Sequence, residues 1–419
     1  MINQTVGRDT VRVLIINLRI GTGSVGRIVS DLYHGIIESG NECKVAYARG
    51  GIGDLPIEDT IKICSDFEVN KHAALTRLFG NTAFWSKKST NIFLKKVDQF
   101  DPDIIHIHGL YGYYINMEVL FKYIKEHNIQ LISTLHSCWD FTGHCCYFDY
   151  SNCTKWKENC EKCKLKNNYP KSSFLDNTKK NFKRKKDLYS SIDKCIIVSP
   201  SRWLAELAKQ SFLKDKDIKV IPNGISLSNF DINIDTSLAI EKYSIDTSKM
   251  IILCVASIWD KRKGISDILE LSTMLNDSYQ LIVVGLSNKQ IDMFSSNTIT
   301  IERTDNALTL ASLYKIADVF FNPTYEDNYP TVNLESIACG TPVVTYKTGG
   351  SPEIIDELSY GLTIEKKDYR KLLEFCNEAK EMKKNLDYDR TQLLIGNELM
   401  KERYIKLYEK SQKNYSSNT

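Results

Sequence analysis

A chain of 419 residues, 42% hydrophobic and 26% charged, is long enough for two domains of ordinary size, each with its own core. A net charge of only +3 excludes the broad basic surface that nucleic-acid binding needs, and no apolar run reaches the roughly 18 residues of a membrane helix. The opening MINQTVGRDT has no apolar signal core, so a cytoplasmic location is expected, where twelve cysteines are read as thiols or metal ligands rather than disulfides.

Along the chain, VRVLIIN (11–17) reads as a strand leading into GTGSVG (21–26) and a helix predicted over 27–39 that closes at Gly40. Further strands are predicted at 44–48, 103–108, 131–136 and 195–199. Near-continuous Val, Ile and Leu runs separated by helices indicate a parallel sheet covered on both faces. GTGSVG fits G-x-G-x-x-G and, taken alone, would mean a dinucleotide site. That site wants an acid at the end of the second strand, and AYARG offers Arg49 there. An arginine would suit a phosphorylated dinucleotide; the plain alternative is a turn that lets a helix pack on its strand.

STLHSCWDFTGHC (133–145) begins as a buried strand and ends in a loop, placing His136 at the carboxyl end of the strand, where open α/β sheets bind ligands. A core histidine is the alternative. Of His106 and His108, on the neighbouring strand, one is expected to pack inside and the other to face the crevice; the pattern does not separate them. The loop 138–165 then carries Cys145, Cys153, Cys160 and Cys163, with Cys138 and Cys146 nearby. Four cysteines within nineteen residues of a polar loop suit a tetrahedral structural zinc that would stiffen it, with free thiols that pair on oxidation as the alternative. Residues 171–187 carry seven basic and two acidic residues interleaved with Phe174, Leu175 and Phe182. They read either as a basic helix lying on anionic lipid or as a solvated helix. The break at VIPNGISLSNF (220–230) sets a first domain at 1–222 and a second at 223–386.

The second half repeats the strand–helix alternation, with strands predicted at 251–256, 280–285, 298–302, 319–322 and 342–346. VASIWDKRKGISDIL (255–269) is a strand, a basic loop and a helix start. NPTYEDNYPTVNLESIACGTPVVTYKTGGSPE (322–353) follows as a ligand-binding cassette. Glu326 and Asp327 stand beyond the end of a strand, and Pro330 is placed where a helix can begin. The helix is predicted over 331–339, with Gly340 in the left-handed position after its last turn and Glu335 about one turn inside. Free N–H groups at such a helix start favour anions. Asp101 and Asp103 flank Pro102 and read as turn residues rather than a metal site. The last segment is predicted as a single helix over 387–413, anchored by Leu393, Leu394, Leu399, Tyr404 and Leu407.

The cassette resembles the C-terminal signature of the family 4 glycosyltransferases, retaining nucleotide-sugar enzymes of the GT-B architecture. Their pattern is an acidic residue, seven others, then Glu; Asp327 and Glu335 have that spacing. The resemblance implies an α/β fold of two Rossmann-like, doubly wound domains facing across a cleft, with the terminal segment 387–419 crossing back to the first. It implies that the first carboxylate contacts hydroxyls of the donor sugar, that Glu335 holds the nucleotide ribose, and that the helix start at Asn328, Tyr329 and Thr331 receives the diphosphate. Asp in place of the usual Glu leaves both Asp327 and Glu326 as the sugar-contacting acid. Gly23 and Ser24 become the close backbone approach to the diphosphate, which displaces the dinucleotide reading. His136 matches the histidine beside the donor sugar. Many relatives follow it with Asp; here Ser137 stands there, and that role is absent or falls to Asp140. Lys263 matches the family's lysine, while Ser257 occupies the position of its arginine, so Arg262 or Lys261 is expected to substitute. GHC (143–145) and W-K-x-x-C-x-x-C (156–163) are similar to the cysteine-bearing loop of a subgroup that assembles bacterial polysaccharides.

The implied activity is transfer of a sugar from a nucleotide diphosphate sugar, expected to be uridine-linked, to a growing surface polysaccharide or lipid-linked oligosaccharide. It would proceed with retention, without a catalytic metal, at the inner face of the cell membrane. Two competing readings are a GT-B sugar-nucleotide epimerase and an inactive, zinc-bearing scaffold paralogue.

Overall fold

The computed structural model describes residues 10–416; the stretch 1–9, in which a signal core was sought, lies outside them. The chain divides into one unit that ends at Pro222 and takes the chain back from Met400, and a second over Asn223–Leu399.

The first unit is built on seven parallel strands: β1 (Arg12–Ile16), β2 (Glu42–Tyr47), β3 (Thr60–Lys62), β4 (Ile104–Ile107), β5 (Gln130–Thr134), β6 (Cys195–Ser199) and β7 (Asp217–Val220). They lie in the order β3-β2-β1-β4-β5-β6-β7. Alternate residues of β1 feed opposite faces, as pleating requires: Leu14 and Ile16 enter one apolar cluster with Ile105 and Ile107, while Val13 and Ile15 enter another with Ile104 and Ile132. Both faces are buried, which is why these strands read as apolar runs rather than alternations.

The second unit repeats the plan with β8 (Met250–Val255), β9 (Tyr279–Val284), β10 (Thr298–Ile301), β11 (Val319–Asn322), β12 (Val343–Tyr346) and β13 (Gly361–Ile364). Their order is β10-β9-β8-β11-β12-β13, again parallel. Each sheet reverses direction once, between β1 and β4 in the first and between β8 and β11 in the second. In such folds ligands bind beyond the carboxyl ends of the strands at that reversal.

Four expectations change. The first helix runs Gly23–Glu38, so it starts four residues earlier than expected and takes in most of GTGSVG. The reason is local: Gly21 makes the turn at φ +66, and Gly26 brings the helix against Arg19 O and Gly21 N, 3.4 and 3.5 Å from where a Cβ would stand. Strands β3, β7 and β13 were not foreseen, being short and carrying few apolar residues. The basic segment is not one helix: helix Thr178–Ser190 covers its second part, while Ser173 and Leu175 donate backbone N–H groups to Arg77 O and Leu78 O. Phe182 and Lys185 are buried, while Phe174 and Leu175 are exposed. The terminal stretch is two helices, Tyr388–Ile395 and Asn397–Ser416, interrupted at Gly396. Leu393 is 65% exposed and anchors nothing, whereas Met400, Tyr404, Leu407 and Tyr408 join the cluster of Val13 and Ile15. Among the described residues no helix is long and apolar enough to cross a membrane.

Candidate functional site

In the second unit three loops follow β8, β11 and β12 at the sheet reversal. The loop after β8 closes at Gly264, whose φ of +80 and whose place 2.2 Å from Pro323 O, measured from a would-be Cβ, admit no side chain. That contact brings the basic loop against the acidic one. Lys263 Nζ meets Asp327 Oδ2 at 2.5 Å, both side chains largely buried, and Arg262 Nη1 donates to Glu326 O at 2.8 Å. Lys261 is exposed, so Arg262 is the second cation at this point. Burial would push the Asp327 carboxyl up, but Lys263 and Arg262, with the Asn328 N–H, outweigh it and hold Asp327 below the ordinary carboxylate range.

The loop after β12 seals the other side. Gly349, at φ +57, would place a Cβ 2.0 Å from Asp327 O, and Gly350 N donates to the same oxygen. Pro330 precedes the helix Thr331–Ala338 with φ −70, and Gly340 takes the left-handed φ of +76 after it. Glu335 lies inside this helix, 2% exposed, and accepts a bond from Tyr314 Oη at 3.3 Å. Asn328, Tyr329 and Thr331 at the helix start are buried. The second-unit residues singled out by sequence thus gather at one end of one sheet.

Several residues that hold this arrangement carry no signal in the sequence. Asn333 Nδ2 donates to Ser351 O and Oγ, and Asn322 Nδ2 donates to Asn333 Oδ1. Thr345 Oγ1 joins Ser351 Oγ, so the network ties β11, the helix and β12 together. Asp267 accepts from Tyr325 and Tyr346 Oη, and Asn223 donates to Tyr329 O at 3.3 Å. None of these roles is marked in the sequence, because each depends on a partner held on another element.

In the first unit Gly23 and Ser24 are exposed at the start of helix Gly23–Glu38. Gly23 has φ +70 and nothing within 4 Å of a would-be Cβ, so its backbone is open to close approach. His136 stands two residues beyond β5 and is half-buried. The two strand histidines are now separated, and both are buried. His106 is held on both ring nitrogens, Nδ1 by Tyr408 Oη and Nε2 by Thr134 Oγ1, each at 2.8 Å. His108, one residue past β4, shares a 2.9 Å hydrogen bond between its Nδ1 and His136 Nε2. Burial pulls His136 down to about 4 and His106 to about 3, and puts His108 well below the ordinary value.

Asp140, the other candidate for the role of the missing neighbour of His136, is buried. It is 2% exposed, accepts from Tyr189 Oη at 2.9 Å, and is raised to about 6 by burial, against the pull of Lys185. Ser137 bonds the Trp139 N–H, so this turn is internal scaffolding. Cys145, Cys153, Cys160 and Cys163 all line one cavity of about 200 Å³. Cys145 and Cys163 are free thiols that hydrogen-bond each other, while Phe141, Phe148 and Trp156 pack into a small aromatic core beside them. Among the described residues no group of three or more His, Cys, Asp or Glu stands ready to hold a metal ion. The expected zinc ligands therefore surround one cavity without forming a cage.

Known proteins match the chain in two consecutive stretches. Residues 25–229 match the family described as Glycosyltransferase Family 4, and residues 235–393 match Glycosyl transferases group 1. A putative colanic acid biosynthesis glycosyl transferase, WcaC, of Escherichia coli (strain K12) is 23% identical over 87% of this chain and 90% of its own length. The N,N'-diacetylbacillosaminyl-diphospho-undecaprenol alpha-1,3-N-acetylgalactosaminyltransferase of Campylobacter jejuni is 26% identical over 50% of this chain and 59% of its own. Among solved structures, a sucrose-phosphate synthase from Thermosynechococcus elongatus superimposes with a TM-score of 0.69 at 16% identity, covering 96% of this chain and 98% of that one. Anabaena HepE, solved with UDP and glucose, gives 0.66 at 12% identity over 96% and 100%. At such identities the structures speak for the fold, two Rossmann-like domains of the GT-B kind.

Proposed function

The chain belongs to the family 4 glycosyltransferases, and from that premise we propose that it moves a sugar from a uridine diphosphate sugar to a lipid-linked or polymeric glycan acceptor of surface-polysaccharide assembly, with retention of configuration. The observation that carries the reading is the Lys263–Asp327 pair, set at the sheet reversal beside the start of helix Thr331–Ala338. Without donor, Asp327 neutralises the ammonium. A bound diphosphate competes for the three N–H donors of Lys263, and Arg262 and the helix start add positive potential where charge grows as the leaving group departs. Asp327, relieved of part of its partner, is then an acceptor for a sugar hydroxyl. We take Asp327 for this role because its carboxylate meets Lys263 directly. Glu335 holds the ribose, and the same family likeness makes Gly23, Ser24 and His136 the sugar-nucleotide contacts of the first unit.

The uridine donor is supported by the presence of UDP in a structural neighbour, and the lipid-linked acceptor by the undecaprenol in a relative's name. In the same reading, the cysteine loop takes a structural zinc between Cys145, Cys153, Cys160 and Cys163. The donor is tested by thermal unfolding with a panel of nucleotide sugars. A ligand at 100 times its dissociation constant stabilises by about 2.7 kcal/mol, so one uridine diphosphate sugar should raise the midpoint clearly, and Lys263→Ala should abolish that rise. Protection by no member of the panel, or equal protection of the variant, overturns the proposal.

A further inference from the structure

His136 is not a lone side chain at the end of β5: a ladder of buried polar groups runs behind it. Tyr404 Oη bonds Thr134 Oγ1 at 3.0 Å, and Thr134 and Tyr408 together occupy both nitrogens of His106. The His106 ring lies 4.1 Å from that of His108, and the His108 ring stacks on His136 at 5.2 Å with the planes 22° apart. His108 itself is fixed by its backbone, with its N–H on Ile16 O and the following Gly109 turning at φ +88. Of its two ring nitrogens, Nδ1 reaches His136 and Nε2 is buried without a partner.

That orphan atom decides which ring carries which proton. All three imidazoles are neutral near pH 7, because burial disfavours the charged form. Each therefore has one N–H and one bare nitrogen. If His136 donated Nε2–H to His108, the His108 proton would sit on Nε2, a buried donor with nothing to bond. If His108 donates Nδ1–H to His136, what is stranded is a bare nitrogen. An unpartnered acceptor is better tolerated in protein interiors than an unpartnered N–H.

We propose that His108 is a positioning residue that donates Nδ1–H to His136 Nε2 and so fixes His136 in the Nδ1–H tautomer, making it an uncharged hydrogen-bond donor to an oxygen of the bound donor sugar. This rests on the reading that His136 meets the donor. A ring free of His108 would favour the Nε2–H form that neutral imidazoles prefer in water, and would present a bare Nδ1 instead. His136 then acts by donation and not as a general base.

The test uses the full chain labelled with 15N-histidine, whose ring shifts distinguish the two tautomers without any ligand. The wild type should show His136 as Nδ1–H, and His108→Phe should return it to Nε2–H. With the uridine diphosphate sugar found by thermal screening, His108→Phe should lower kcat by about 10- to 100-fold, by analogy with the loss seen when the hydrogen-bond partner of a metal-ligating histidine is removed, with KM changed less than about 3-fold. His108→Asn, whose amide nitrogen can stand near the place of Nδ1, should restore kcat to within about 3-fold of wild type. Circular dichroism of both variants separates misfolding from misorientation. An Nε2–H tautomer in the wild type, or a His108→Phe enzyme with unchanged kcat, overturns the inference. His136→Ala keeps the two readings apart: full activity there would remove the role of His136 and leave the tautomer assignment standing, whereas an inactive His136→Ala beside a fully active His108→Phe would remove this inference alone.

Discussion

Asp327 shows how one side chain holds two loops and titrates accordingly. Its carboxyl lies below the ordinary range in the folded chain because Lys263 and Arg262 outweigh burial. A depressed folded value contributes stability that is present above the ordinary carboxylate pKa and is lost as pH falls through the folded one. Asp327→Asn should therefore cost about 1–3 kcal/mol at pH 7, the usual range for a largely buried charged hydrogen bond. The difference between wild type and variant should shrink as unfolding is measured at progressively lower pH. A difference that stays constant from neutral to strongly acidic pH would show that the pair does not stabilise through its charge. Asp327 and Glu335 stood out because their spacing matches the family's pattern, and Lys263 because it stands where the family's lysine does. Asp267, Asn322 and Asn333 did not, because each is defined by a partner on another element. His106 and His108 could be separated only by the register of β4 against β5 and by the terminal helix.

At the scale of elements, the loops at the sheet reversals are shaped by glycines that sequence can mark but not explain. Gly264 and Gly349 are needed because a neighbouring carbonyl fills the space of a Cβ, and only the folded loops bring those carbonyls there. The cysteine loop is the counterpart case: its spacing pointed to zinc, and the fold puts all four thiols on one cavity while leaving them short of a cage. A metal bound there would have to draw the thiols together, and its binding energy would appear as loop stability. Protein purified without chelator should contain about one zinc per chain, and stripping it should lower the unfolding midpoint. A zinc content near zero in reduced, active protein would retire the metal and leave four thiols around an aromatic core.

The whole molecule was legible to the extent that its strands are buried on both faces. Runs such as those of β1, β6 and β8 announce parallel sheets, while β3, β7 and β13 stayed hidden because edge strands have less to bury. The terminal segment was read as one helix because its apolar spacing is continuous; Gly396 breaks it, and the chain from Met400 onward belongs to the first unit, where Tyr404 and Tyr408 support the histidine ladder. Sugar transfer is the central claim, and acceptor-dependent release of nucleoside diphosphate tests it most directly. The uridine diphosphate sugar chosen by thermal screening is incubated with membrane-extracted polyprenyl-linked glycans, with wild type and Lys263→Ala side by side, and the new linkage is examined by NMR. We expect release only when acceptor is present, a glycan with the donor's anomeric configuration, and a loss of about 10²- to 10³-fold in the variant, as for removal of one preorganised leaving-group donor. Equal turnover without acceptor, or full activity in Lys263→Ala, would contradict the account.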